Sequence, residues 1–271
     1  MLHLRYSTAW AGALLCAVLG AALIPNVATA SAPATGPAHR ACEVEPRAFC
    51  PGVDLSGRDL RGANLRRATL MRADLSEADL RGADLSEADL SEVDLRGADL
   101  RGANLSHALM ARAKVGGADL RGADLRWAYM WSAALRYVDL RDADLRQSIM
   151  FDVDLGYANL RGANLRDAAL SGSNFFNGNL RGANLHGALL RVADMRGTYL
   201  RDAELGDAKL TQADLRDADL SGADLRDAEL IQADLRDAKL TQADLRGATL
   251  RGARWPDGRV CEPGSIGECL S

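Results

Sequence analysis

Aromatic residues make up only 5% of this 271-residue chain, too few for the interior of an ordinary globular domain of this length. Histidine is scarcer still, at four residues, and three of these (His39, His107 and His186) lie outside the first thirty positions. Such a supply excludes the usual histidine-based relays and imidazole metal sites unless those few converge. The formal net charge is −4, which points neither to nucleic acid nor to an acidic tail. No apolar run reaches the ~20 residues of a spanning helix. The longest is Trp10 to Ile24.

That run belongs to a targeting pattern. Arg5 supplies a positive start, Pro25 ends the apolar stretch, and Ala28-Thr29-Ala30 fits a small-residue cleavage site before Ser31. Residues 1–30 are therefore expected to be a signal peptide, with export to the medium or the cell envelope. An uncleaved anchor and a lipoprotein modified at Cys16 are the competing readings, the second opposed by Leu14 and Leu15 before it. Cleavage removes Arg5 and no acid, which takes the balance from −4 to −5.

Ser31 to Ala41 reads as a Pro/Ala/Gly linker, continuing into an N-terminal cap through residue 50 that holds Cys42 and Cys50. Cys261 and Cys269 lie in a C-terminal cap, residues 256–271. Four cysteines in an exported chain favour disulfides, and four allow three connectivities. If the intervening residues form a rod, only Cys42–Cys50 and Cys261–Cys269 come within the roughly 7 Å that a bridge spans. The same separation opposes a shared zinc site.

What is abundant is a five-residue phrase: small apolar, Asp or Asn, Leu, then two polar or small residues. It runs from Pro51 to Trp255 without an insertion or deletion. A period of five fits neither helix nor strand, but an extended piece followed by a turn keeps Leu and the preceding Ala on one side. Several such pieces close a tube whose successive coils pair their backbones at roughly 4.8 Å per rung. The number of pieces per coil is also readable. Arg61, Arg81, Arg101, Arg121 and Arg141 recur at intervals of twenty, and Met110, Met130 and Met150 share another column. Residues n and n+20 therefore stack, four units to a coil. Phe175 is expected to point inward, its ring accommodated by Ser173 and Gly178, and Arg58 takes an inward slot in the first coil.

The phrase, as in Ala103-Asn104-Leu105 or Ala223-Asp224-Leu225, resembles the pentapeptide repeat family over about 205 residues and forty-one consecutive units. The resemblance implies an all-β fold, a right-handed quadrilateral β-helix of about ten coils, and a rod near 50 Å long. Some cytoplasmic members of the family look like B-DNA and occupy DNA gyrase, conferring quinolone resistance. That role needs a cytoplasmic location and a strongly acidic surface, and this chain has an export signal and a long Arg column instead.

No catalytic grouping converges and no cofactor is expected. His107 and His186 fall about four coils apart, roughly 20 Å. The glycines recur as Arg-Gly-Ala turns rather than as a phosphate loop. The Asp columns are offset by Arg two residues along. One column does break the phrase: Leu109, Tyr129, Ile149 and Leu189 stand where Asp or Asn is usual. With Trp131 and Phe151 beside them, Trp127 near one edge, and Tyr137 and Tyr157 stacked on the adjoining side, they form a candidate interaction patch for a partner protein or a second copy. Cover by the chain's own N-terminal segment is the competing reading. Trp255, in place of the last central Leu, is expected to cover the tube end, with Pro256 and Asp257-Gly258 turning the chain away.

Overall fold

The computed structural model describes residues 42–270, so the expected signal peptide and the linker Ser31 to Ala41 lie outside the described residues. Each five-residue unit has the same form: two turn residues, one residue without regular structure, one bridge residue, and a last residue pointing inward. Bridges join residues twenty apart in parallel, as in Asp59↔Asp79, Asp79↔Asp99 and Asp99↔Asp119. The chain is a right-handed quadrilateral β-helix. We number its sides by their bridge residues: face 1 runs through Thr69, Asp89 and Leu109, face 2 through Asp74, Asp94 and Lys114, face 3 through Asp79 and Asp99, and face 4 through Asp84 and Asn104.

The five N–H groups of one unit show why the phrase reads as it does. In residues 119–123, Asp119 donates to the Ala98 carbonyl at 3.0 Å and Leu120 to Asp139 at 2.7 Å, one coil down and one coil up. Gly122 donates to Arg141 at 3.0 Å, and Ala123 closes the corner on Leu120 at 3.0 Å. The remaining donor, Arg121, binds the side-chain Oδ1 of Asp119 at 3.2 Å. Asp or Asn before the central Leu is thus the acceptor that completes the corner. Every backbone donor of the unit has a partner.

The corner also constrains its second residue. An i→i+3 bond with positive φ at the third residue is a type II turn, and every fifth residue from Arg47 to Gly252 has such a φ. Gly62, Gly82 and Gly102 hold it without strain, but Val192 holds φ 52° with a β-branched side chain that is 56% exposed. Relief of a left-handed non-glycine residue, roughly 1–3 kcal/mol, exceeds the added unfolded-state entropy of glycine, roughly 0.4–1 kcal/mol. Val192→Gly should therefore raise stability by about 1 kcal/mol in chemical denaturation. A lower midpoint would contradict the strain argument.

The interior is a stack of fully buried Leu and Ala, with Met110, Met130 and Met150 in one line and Phe175 its largest buried side chain. Among the described residues no buried side-chain nitrogen or oxygen lacks a hydrogen-bond partner. Ser173 shows how: its hydroxyl donates to the Met150 carbonyl at 2.6 Å and accepts from the Val153 N–H at 3.2 Å. Arg58 is exposed in the first coil.

Disulfides join Cys42 to Cys50 and Cys261 to Cys269, with Cα separations of 5.7 and 4.9 Å. The C-terminal end differs from the expectation. After Trp255 the chain does not leave but folds back on the last coil, pairing antiparallel through Arg254↔Val260 and Thr249↔Ile266. Leu250 donates to Ser265 and Gly252 to Cys261, so backbone groups that an open coil would leave unpaired are satisfied. Trp255 is only partly buried, and Leu240 and Leu245, under faces 3 and 4, are partly exposed. The cap is residues 256–270 pairing over faces 1 and 2, not the Trp255 ring alone.

Candidate interaction surface

On faces 3 and 4 the charges cancel where they arise. Arg81 binds Asp79 of its own unit through Nε and Nη2, and lies 3.6 Å from Asp99 of the next coil. Arg101 repeats this with Asp99 and Asp119, and Arg121 with Asp119 and Asp139. The Arg81 hydrogen bond, against an opposing desolvation, holds the Asp79 carboxyl below its ordinary range. Asp99 and Asp119 are lowered in the same way by Arg101 and Arg121. From Asp59 to Arg141 this column is a ladder of alternating charge rather than an acidic strip.

Among the described residues no group of three or more His, Cys, Asp or Glu is placed to hold a metal ion. His107 stacks against Trp127 with ring centroids 6.1 Å apart, and His186 lies 3.5 Å from Asp207. No helix among the described residues is long and apolar enough to cross a membrane.

Face 1 is built differently. Bridges place Leu109 against Tyr129, Tyr129 against Ile149, Ile149 against Ala169, and Ala169 against Leu189. Leu109, Tyr129 and Leu189 are exposed and Ile149 is half-buried. At the corner between faces 1 and 2, Trp131 is 46% and Phe151 37% exposed, and the Arg112 guanidinium lies 5.5 Å over the Trp131 ring. Trp127 flanks the other edge of face 1.

This column gives up a bond that most units of the rod make, as Lys114, Ala134 and Tyr199 also do on other faces. Around Tyr129, the Met130 N–H reaches Ile149, Ser132 reaches Phe151 and Ala133 closes on Met130. Tyr129 carries no carboxylate or amide to accept from the Trp131 N–H, and Leu109 and Ile149 likewise offer nothing to Ala111 and Phe151. A hydrogen bond of this kind contributes roughly 0.5–1.5 kcal/mol. Three successive coils forgo it and expose apolar side chains instead.

Tyr137 and Tyr157 belong to a second cluster, one corner further on and across face 2 from Trp131. Their rings stack at 5.2 Å, Phe176 meets Tyr157 edge-on at 5.6 Å, and Arg136 lies over both tyrosines. Phe176 is the member that the sequence reading missed. Its signal was its place in the corner column of Arg136 and Gly156, which recurs at intervals of twenty, beside the inward Phe175. Arg196 covers its far side at 5.4 Å. These rings pack on one another within the chain, yet Tyr137 is 62% and Tyr157 41% exposed, so the cluster is as open to solvent as the face 1 column.

The chain matches the model for pentapeptide repeats in eight copies, over residues 52–86, 88–126, 117–150, 148–187, 179–217 and 218–254. Among solved structures it is similar to HetL, a pentapeptide repeat protein involved in heterocyst differentiation regulation from the cyanobacterium Nostoc sp. strain PCC 7120. Identity is 32%, with 80% of this chain and 93% of that one covered and a TM-score of 0.46. It is also similar to trypsin-treated QnrB1, a plasmid-mediated fluoroquinolone resistance protein, at 20% identity over 76% and 88% of the two chains, with a TM-score of 0.49. A pentapeptide repeat protein from the Arabidopsis thaliana thylakoid lumen matches at 26% identity over 45% and 71%, with a TM-score of 0.25. The comparison with curated proteins found no match. By its repeat phrase, its four-sided coil and a family match that runs from residue 52 to residue 254, the chain belongs to the pentapeptide repeat family.

Proposed function

We propose that this is an exported, non-enzymatic scaffold that binds a protein through the apolar column of face 1. The observation that carries this reading is the exchange at Leu109, Tyr129 and Ile149. There the acceptor that completes the corner is replaced by apolar surface, at a position where folding alone favours Asp or Asn. Tyr and Trp are the side chains that most often anchor protein interfaces. Export is supported by the composition of residues 1–30 and agrees with two disulfides at the rod ends. A gyrase-directed role, which would call for a DNA-like acidic rod, is disfavoured by the Arg–Asp ladders, which neutralise the acid columns pair by pair.

Trp131→Arg combined with Tyr129→Asp tests the surface. Both sites are exposed and Tyr129→Asp regains the corner acceptor, so the rod should stay folded, while association with a captured partner in medium or envelope fractions is lost. Association that survives the double substitution, in pull-down and in sedimentation, would sink the reading.

A further inference from the structure

Face 1 carries its own complement. From Leu109 to Leu189 its outward residues are apolar over five successive coils, with Ile149 at the centre. The coil before the run presents Asp89, and the coil after it presents Lys209. An acid at one end and a base at the other is the pattern of a surface that pairs with an inverted copy of itself.

From this, resting on the face 1 reading above, we infer that the partner is a second copy of this chain, docked antiparallel about a two-fold axis through Ile149. Such an axis brings Ile149 to Ile149, the ring of Tyr129 over the small Ala169, and Leu109 over Leu189. At both ends Asp89 of one copy meets Lys209 of the other, about 29 Å apart along the rod from six rungs of roughly 4.8 Å. Along the corner that follows face 1, the same axis sets Phe151 against Phe151 and Trp131 against Ser171. An isologous contact of this kind presents the same patch from both copies and closes at two.

Neighbouring registers fit less well. An axis through Leu109 sets Asp89 against Tyr129, burying a carboxylate under a ring. An axis through Tyr129 leaves Leu189 opposite Thr69 and sets Asp89 against Ala169, so neither charged end is paired. Only the Ile149 register aligns the whole apolar run and pairs both of its charged ends. The two end charges already have partners in their own chain: Ser91 donates to Asp89 from N–H at 3.0 Å and from hydroxyl at 2.6 Å, and Lys209 donates to Glu229 at 2.7 Å. They therefore enter the contact ordered, with less side-chain entropy to lose.

The test exploits the residue on the axis, because a charge placed there meets itself. Ile149→Asp restores the usual residue of the repeat and regains the corner acceptor, and Ile149→Lys places on face 1 what Lys209 places there already. Both variants of the cleaved, disulfide-bonded chain should fold. In sedimentation velocity the wild type should be a dimer, and each variant a monomer or a dimer about tenfold weaker or more. An equimolar mixture of the two variants should recover the dimer. Lys209→Asp should also weaken it, and adding Asp89→Lys to that variant should restore it. A monomeric wild type, a dimer indifferent to Ile149→Asp, or a mixture that stays monomeric would each overturn the inference. None of these decides whether face 1 binds a different protein, which the Trp131 and Tyr129 double substitution reads separately.

Discussion

Phe175→Ala should destabilise the rod by about 3–5 kcal/mol and split its unfolding into two transitions. Phe175 is fully buried and is the largest side chain of the interior. It stands on the inner side of face 2, and its N–H donates to Asp194 of the next coil at 2.7 Å. In a stack where each coil touches only its neighbours, stability is a sum of unit terms and contacts between adjacent units. A cavity at one coil weakens both of its contacts, so the coils before and after it should uncouple. The ring fits because its unit departs from the phrase. The turn after it is short, with Gly178 donating to Phe175 at 2.7 Å, and a Cβ on Gly178 would fall 2.9 Å from the Phe175 carbonyl oxygen. Gly178→Ala should therefore destabilise the natural chain. It should be tolerated once Phe175→Leu has restored the ordinary phrase, and a double-mutant cycle in urea measures that coupling. Additive effects would show that Gly178 serves something other than the ring. A single sharp transition in Phe175→Ala would show that the rod unfolds as one unit.

The regularity of the repeat made the fold legible. Because units never gain or lose a residue, columns at intervals of twenty expose the stacking directly, and Met110, Met130 and Met150 do fall in one buried line. The role of Asp and Asn was less visible. Facing solvent explains a polar residue, but only the N–H count around Asp119 explains why it is one whose oxygen reaches the backbone two residues on. The strained corners were only partly visible: their second residue is often Gly or Asp, which tolerate positive φ, but Arg, Glu, Gln, aromatic residues and Val192 share the position and mask it. The C-terminal fold-back was hidden for another reason. Residues 256–270 carry no repeat phrase, and their antiparallel pairing is dictated by the unsatisfied edge of the last coil. At the candidate site the sequence located the exceptions and the structure ranked them. Tyr137 and Tyr157 stack on each other under Arg136 while staying exposed, and what sets Leu109, Tyr129 and Ile149 apart is a continuous apolar column without corner acceptors.

Acid should loosen this rod in a narrow window, and the sign follows from the ladders. Hydrogen bonds from Arg61 hold the Asp59 carboxyl at about 2, those from Arg66 and Arg67 hold Glu87 at about 2, and those from Arg246 hold Asp244 at about 2. Asp79, Asp99 and Asp119 are lowered as well. A carboxyl with a folded value below its unfolded one, near 4, binds fewer protons when folded. Its contribution is complete above about pH 4 and disappears as the pH falls through the folded value. The melting temperature should therefore stay level from about pH 8 to about 5 and fall between about pH 4 and 2. Each exposed pair adds little on its own, so the fall should be gradual and smaller in high salt, which screens the pairs. The chain contains its own control. Asn159 and Asn179 keep the backbone bond to Arg161 and Arg181, at 3.4 and 3.3 Å, without a carboxylate. Converting Asp79, Asp99 and Asp119 to Asn should likewise preserve the corners while shrinking the acid-dependent fall. A triple variant as acid-sensitive as the natural chain would show that these ladders do not govern the response, and a natural chain unmoved at about pH 2 would show that they add nothing to stability.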